Sequence, residues 1–274
     1  MKKLSVLCLS IFMMFSLAAC GGAEDAETAA PADTETQSSS ELVLGTSADY
    51  PPFEFIYLDD NGEQQYAGID VFLAEQLAED MGKDLKVVNM NFDSLVAALQ
   101  KGEMDIVISA MEETPERASA VDFSDPYYTD YPAMILVKAA KTDEFTSLDS
   151  FAGKSVGAQT GTTKASIVTD EMPDAKLVAL TTVSDLVNEL VYDKCDAIVL
   201  DGAVAMEYAN ANTDLVISSV ELGEAYPYCV AVEKGDPQGL LEGINASIAA
   251  ALENGSVDEW IQHADELSTK AIEE

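Results

Sequence analysis

Few residues in this chain are of a type and spacing that suggests chemistry. The only histidine, His263, lies in a polar C-terminal stretch of helical pattern, which argues against histidine acid–base catalysis and His-rich metal sites. Cys195 and Cys229 stand 34 positions apart with no CxxC spacing, and read as two small buried hydrophobes. Asp59-Asp60-Asn61-Gly62-Glu63 offers oxygen atoms but lacks the full spacing of a calcium loop. Its Asn-Gly, set between Phe53–Leu58 and Gln64–Tyr66, reads better as a hairpin turn. Arg117 has Glu113 and Glu116 for neighbours. Its planar guanidinium suits either a surface ion pair or a carboxylate gripped by two parallel hydrogen bonds, a grip that lysine cannot copy. Asp201 follows the apolar run Ala197–Leu200 and can cap a helix over Gly202–Ala209, with oxygens enough for about four hydrogen bonds. In Gln159–Thr163, Gly161 permits a tight turn, and the amides beyond it open a helix. Such a place favours a carboxylate, and equally reads as an ordinary cap.

The elements that must position these residues alternate in type. Leu42–Thr46, Leu85–Val88, Asp105–Ser109, Met134–Val137, Ser155–Ala158 and Ala197–Leu200 read as strands. Asp70–Met81, Ser94–Lys101, Thr163–Glu171, Val183–Tyr192 and Pro237–Asn254 read as helices. That alternation predicts βα units and largely parallel sheet. A repeat sharpens the picture. SLVAALQKGEMDIVISA at 94–110 and DLVNELVYDKCDAIVLD at 185–201 match at an offset of 91, each a helix, a polar turn and a buried strand opened by aspartate. Two similar α/β lobes follow, with Ala110 and Asp201 equivalent at the carboxyl ends of buried strands, the edge where open α/β sheets bind ligands. The repeat also sets Cys195 opposite Met104.

With 274 residues the chain is long enough for one large domain or two ordinary ones. Fifty acidic against 14 basic residues give a net charge of −36, which excludes nucleic acid as a partner, since phosphate binding needs a basic surface. Lys2 and Lys3 precede the uncharged Leu4–Ala19, too short to span a bilayer and typical of an export signal over 1–19. Leu17-Ala18-Ala19-Cys20-Gly21 resembles the bacterial lipobox, in which the chain is cut before the cysteine and the thiol is lipidated. Residues 20–41 then form the lipidated Cys20 and an acidic leash without large apolar side chains, expected to be disordered. With two lysines and six acids of the first 41 residues set aside, the body keeps 44 acidic and 12 basic residues, a net of −32.

GTSADYPPFEF at 45–55, GIDVFLAEQLAEDMG at 68–82, FDSLVAALQKGEMDIVIS at 92–109, TPERASAVDFSDPYY at 114–128 and VGAQTGTT at 156–163 resemble, in this order, the type 3 solute-binding proteins of polar amino acid ABC importers. The resemblance covers nearly all of 42–263. It implies a type II periplasmic-binding-protein fold, each lobe a mainly parallel sheet flanked by helices, with two hinge strands between. Lobe 1 would be 42–130 plus 228–274, and lobe 2 131–227. It further implies that Arg117 takes the α-carboxylate and Asp201 the α-ammonium of a free amino acid, with Gln159, Thr162 and Thr163 on the second lobe. Tyr50 and Phe92 would sandwich the ligand side chain, while Phe53 belongs to the core. Ser47 and Ala110 complete the expected site.

Two positions depart from the family pattern. Glu112 stands where many relatives have threonine, and Ser47 where many have aspartate. Glu112 either faces the cleft, where it pairs with a ligand ammonium or cationic side chain, or turns to solvent. The acidity of the body favours neutral polar or cationic ligands over acidic ones, with lysine and arginine leading. The expected protein is a monomer without cofactor or metal, not an enzyme. It is lipid-anchored on the outer face of a bacterial cytoplasmic membrane, and hands its amino acid to an ABC permease. A sensor lipoprotein using the same cleft and a dehydratase-like enzyme on the same scaffold are the competing readings.

Overall fold

A computed structural model describes residues 40–271, so the expected export signal, the expected lipidation site Cys20 and the expected leash as far as residue 39 lie outside the described residues. The chain opens with β1 (Glu41–Thr46), then β2 (Asp49–Tyr50), β3 (Glu54–Leu58) and β4 (Gln64–Ala67). There follow α1 (Ile69–Asp80), β5 (Asp84–Asn89), α2 (Phe92–Gln100), β6 (Ile106–Val107), α3 (Pro115–Ala120) and β7 (Val121–Thr129). The second half holds β8 (Met134–Lys138), β9 (Ser155–Gln159), α4 (Thr163–Glu171), β10 (Lys176–Leu180), α5 (Val183–Val191), β11 (Ala197–Leu200), α6 (Gly202–Ala211) and β12 (Leu215–Ile217). The chain closes with β13 (Pro227–Glu233), α7 (Leu241–Asn254) and α8 (Ser256–Ser268).

Two five-stranded sheets result, ordered β5-β1-β6-β13-β7 and β10-β9-β11-β8-β12. In the first, β1 runs parallel to β5 and β6, and β13 runs antiparallel to β6 and β7. In the second, β9 runs parallel to β10 and β11, and β8 runs antiparallel to β11 and β12. Each sheet is therefore mainly parallel with one reversed strand in the same place. In both cases it is the strand that has just arrived from the other sheet. The central strands read as unbroken apolar runs because both of their faces are covered; all four residues of Ala197–Leu200 are buried.

The offset of 91 holds in three dimensions. α2 and α5 occupy equivalent residues, and the aspartates that follow them do the same work. The N–H of Val43 donates to Asp105 Oδ2 at 2.8 Å, and that of Ser155 donates to Asp196 Oδ2 at 2.9 Å. Met104 and Cys195, paired by the repeat, are both buried under a glycine of the neighbouring strand. A Cβ on Gly45 would lie 2.0 Å from Met104 Sδ, and one on Gly157 3.4 Å from Cys195 Sγ. Both Cys195 and Cys229 are free, buried thiols, as hydrophobes of that size should be.

Some expectations need adjusting. The strand read over 105–109 is laddered only at Ile106–Val107, because Asp105 is spent on joining β1 and Ala110 turns out of the sheet at φ 43°. The helix read from Pro237 starts at Leu241, after Asp236 (φ 44°) and Gly239 (φ 67°) make a left-handed turn. Asp236 accepts the N–H groups of Leu240 and Leu241 there. Asp59 closes the β3–β4 hairpin by accepting the N–H groups of Asn61 and Glu63 at 2.8 and 2.9 Å. His263 stacks on Phe72 with ring centroids 5.0 Å apart, a packing role. Among the described residues no cluster of His, Cys, Asp and Glu could hold a metal, and no helix is long and apolar enough to cross a membrane.

Candidate functional site: the cleft between the sheets

Arg117 is the only arginine in the chain, and it does not pair with the glutamates beside it in sequence. It sits in the short helix α3, capped by Thr114, whose Oγ1 accepts the Arg117 N–H. The guanidinium lies over the ring of Phe92 at 5.1 Å. Nη1 donates to the carbonyl of Glu112 at 2.8 Å, and Nη2 reaches across to the carbonyl of Gly161 at 3.1 Å. Both bonds go to neutral oxygens. Burial depresses its pKa, but a guanidinium stays charged, so a cation is held at the mouth of a closed space.

On the opposite wall Asp201 stands at the N-cap position of α6, yet its side chain caps nothing. Asp130 does that, accepting the N–H of Ala203 at 3.2 Å and the hydroxyl of Tyr228 at 3.0 Å. The carboxylate of Asp201 is thereby released toward the cleft. There it accepts the hydroxyl of Tyr50 at 2.6 Å and the ammonium of Lys164 at 2.6 Å. Lys164 Nζ also donates to Glu112 Oε1 at 3.1 Å, and the Thr163 hydroxyl donates to Glu112 Oε2 at 2.5 Å. Glu112 thus turns into the cleft, 5% exposed. Burial works strongly against the charge on Lys164, but Asp201 and Glu112 together outweigh it and raise its pKa.

Behind these groups lies a second polar layer. Glu54, buried on β3, accepts the Ser109 hydroxyl at 2.6 Å, and Ser109 Oγ accepts the N–H of Ser47 at 3.1 Å. Asp70, at the start of α1, accepts the N–H of Ala110 at 2.6 Å and the hydroxyl of Tyr127 at 2.7 Å. Burial, reinforced by Asp70, pushes Glu54 well above the usual carboxyl range, and burial raises Asp70 to about 6. The bond from Ala110 fixes the left-handed residue whose backbone turns past the cleft. Ser47 donates to Asp49 at 3.1 Å, and Asp49, on β2, accepts the N–H of Val183 at 2.7 Å, joining the β2-β3-β4 sheet to the N-terminus of α5. Burial raises Asp49 to about 6.

Gln159 and Thr162 serve their own lobe. Gln159 donates to the carbonyl of Thr181 at 3.0 Å, while Thr162 donates to the carbonyl of Gln159 and caps α4 through the N–H of Ala165. The structure gathers Ser47, Tyr50, Phe92, Ala110, Glu112, Arg117, Gln159, Thr162 and Asp201 around one closed space of about 10 Å³, with Thr163 bonded to its rim. That is room for about one water molecule. Lys164 and Glu54 share it and were missed from sequence. A lysine in the first turn of a helix opposes the helix dipole, and a glutamate inside the run Phe53–Ile56 breaks an apolar strand. Either oddity marks a residue with a buried partner.

The comparisons agree on one family. A model of bacterial extracellular solute-binding proteins, family 3, matches residues 42–263. The arginine-binding extracellular protein ArtP of Bacillus subtilis (strain 168) is 36% identical over 217 residues, 78% of this chain and 79% of its own length. An amino acid ABC transporter substrate-binding protein from Streptococcus pneumoniae Canada MDR_19A, bound to L-arginine, matches with a TM-score of 0.79 at 33% identity, over 83% of this chain and 95% of that one. An ancestral arginine-binding protein bound to glutamine gives 0.74 at 35% identity, over 82% and 98%.

Proposed function

Because the chain belongs to family 3 of the bacterial extracellular solute-binding proteins, we propose that it captures a free amino acid in this cleft and delivers it to an ABC importer. Arg117 takes the α-carboxylate, helped by the amides that open α4 and by Thr163. Asp201, which already accepts the Tyr50 hydroxyl and the Lys164 ammonium, takes the α-ammonium on its remaining lone pairs. Phe92 and Tyr50 flank the ligand side chain, and Gln159 and Thr162 shape the second wall. Leaving either end of a zwitterion unpaired in a dry space costs several kcal/mol, so a cation and an anion facing each other across two lobes are what such a ligand demands.

Ligand touching both lobes stabilises their closure, and the permease reads the closed form. The lobes are 42–130 with 228–274, and 131–227. The mature chain is a monomer held by lipid on Cys20 at the outer face of the membrane, its acidic body kept off the anionic surface by the leash. We read a receptor and not an enzyme, in line with the binding proteins it resembles. Neutral polar or cationic ligands are favoured over acidic ones by the net charge of −32 on the body.

The observation that carries this reading is the single arginine, laid on Phe92 and reaching across the cleft to Gly161. Calorimetry with the twenty amino acids on the wild type and on Arg117→Ala tests it. One or more should bind the wild type, and the variant should lose about 2–5 kcal/mol, roughly 30- to several-thousand-fold. Near wild-type affinity in a folded Arg117→Ala places the carboxylate elsewhere.

A further inference from the structure

Among the described residues Lys164 is the one lysine that is fully buried, its side chain 5% exposed. Nothing local favours it there, since it stands in the first turn of α4, where the positive end of the helix dipole repels a cation. Two carboxylates hold it, Glu112 from the first lobe and Asp201 from the second, both as buried as the lysine itself. The space beside it has room for about one water, so charge in the cleft must balance without solvent.

It does balance. Arg117 and Lys164 face Glu112 and Asp201, two cations against two anions. A zwitterion with an uncharged side chain adds nothing to that sum. A ligand with a side-chain cation adds one positive charge, and the carboxylate best placed to meet it, Glu112, is already engaged by Lys164 Nζ and the Thr163 hydroxyl. The other carboxyl lining the space, Glu54, is pushed well above the usual carboxyl range by burial and by Asp70, which disfavours its charged form, and it accepts the Ser109 hydroxyl. We infer that Lys164 is a specificity-determining residue: its ammonium engages Glu112, the carboxylate that a ligand's side-chain cation would need, so the cleft selects amino acids with uncharged polar side chains over arginine and lysine. This rests on the amino acid receptor reading and deepens it. It also reverses the lead that the acidity of the body gives to lysine and arginine, because the local pair decides over the distant field.

The test compares glutamine, arginine and lysine by calorimetry on the wild-type chain, on Lys164→Met and on Lys164→Gln. Methionine keeps most of the length of the side chain without the charge. Glutamine can still donate to one carboxylate, so it supplies a folded variant if methionine does not. The wild type should bind glutamine at least tenfold tighter than arginine or lysine, and removing the ammonium should shift the ratio toward arginine at least tenfold. A wild type that binds arginine as tightly as glutamine, or a ratio unmoved in the folded Lys164 variants, overturns the inference. If ligand binding is at the same time abolished by Arg117→Ala, the receptor reading survives that result. A wild type that binds none of the amino acids sinks both.

Discussion

At the scale of single residues, the cleft depends on what is missing as much as on what is present. Gly161 holds φ 79°, and a Cβ there would meet Asp93 Cβ at 2.9 Å and its Cα at 3.1 Å across the cleft. The same residue offers its carbonyl to Arg117. A side chain at 161 would therefore act as a wedge against Asp93 on the facing wall. Gly161→Ala should weaken amino acid binding by about 10- to 100-fold, as a shift of the closing equilibrium by roughly 1–3 kcal/mol, with a smaller loss of thermal stability from the left-handed backbone. Solution scattering on the variant with ligand should show the larger radius of the open form. An unchanged affinity would mean that closure leaves more space at this point than the distances allow. Arg117, Asp201 and Glu112 could be picked out from sequence because each is a charge at the end of a buried run or inside a motif. Lys164 carried only the weak sign of a lysine in a helix's first turn, and its two partners, 52 and 37 residues away, are not readable from its own neighbours.

Among the elements, the two helix–strand units at the offset of 91 were readable because buried parallel strands impose continuous apolar runs, and amphipathic helices impose their own period. β7 and β13 were harder. VDFSDPYYT mixes exposed and buried positions along nine residues and includes a proline, and its partner enters the sheet against the direction that βα units predict. The repeat also permits a matched test of packing. At Gly157 an added Cβ would press on Leu186 at 2.8 Å and on the branched Ile198 at 2.9 Å. At Gly45 the obstacle is the thioether end of Met104, which can find another path. Gly157→Ala should therefore destabilise by about 1–3 kcal/mol, a fall in melting temperature of roughly 3–10 °C. It should exceed the effect of Gly45→Ala, and both variants should leave ligand affinity nearly unchanged. Equal losses would show that buried Met104 is as rigid as Ile198.

For the whole molecule, acidity sets the pH of greatest stability. Burial raises Asp49, Asp70 and Asp130 to about 6, above the value near 4 that each has in the unfolded chain. Between those limits the native state binds more protons than the unfolded one, so stability falls as pH rises from about 4 to 6 and stays lower above it. Self-repulsion among the net −32 of the body acts in the same direction. At the acid end Asp193, held at about 2 chiefly by hydrogen bonds from Lys138 and Lys141, loses its pairing on protonation. Melting temperature at constant ionic strength should thus peak near pH 4 and decline toward pH 8; a steady rise over that range would contradict the burial of these carboxyls. The exchange of strands between the sheets has a consequence in time. All five strands of the second sheet come from 134–217 without interruption, while the first sheet lacks β13 until residue 233 has been made. A chain emerging from its N-terminus can complete the second sheet first and must keep β6 waiting with one unpaired edge. Any chain cut short before β13 leaves β6 and β7 without the strand that joins them, and so carries backbone edges inside the sheet that the longer chain pairs.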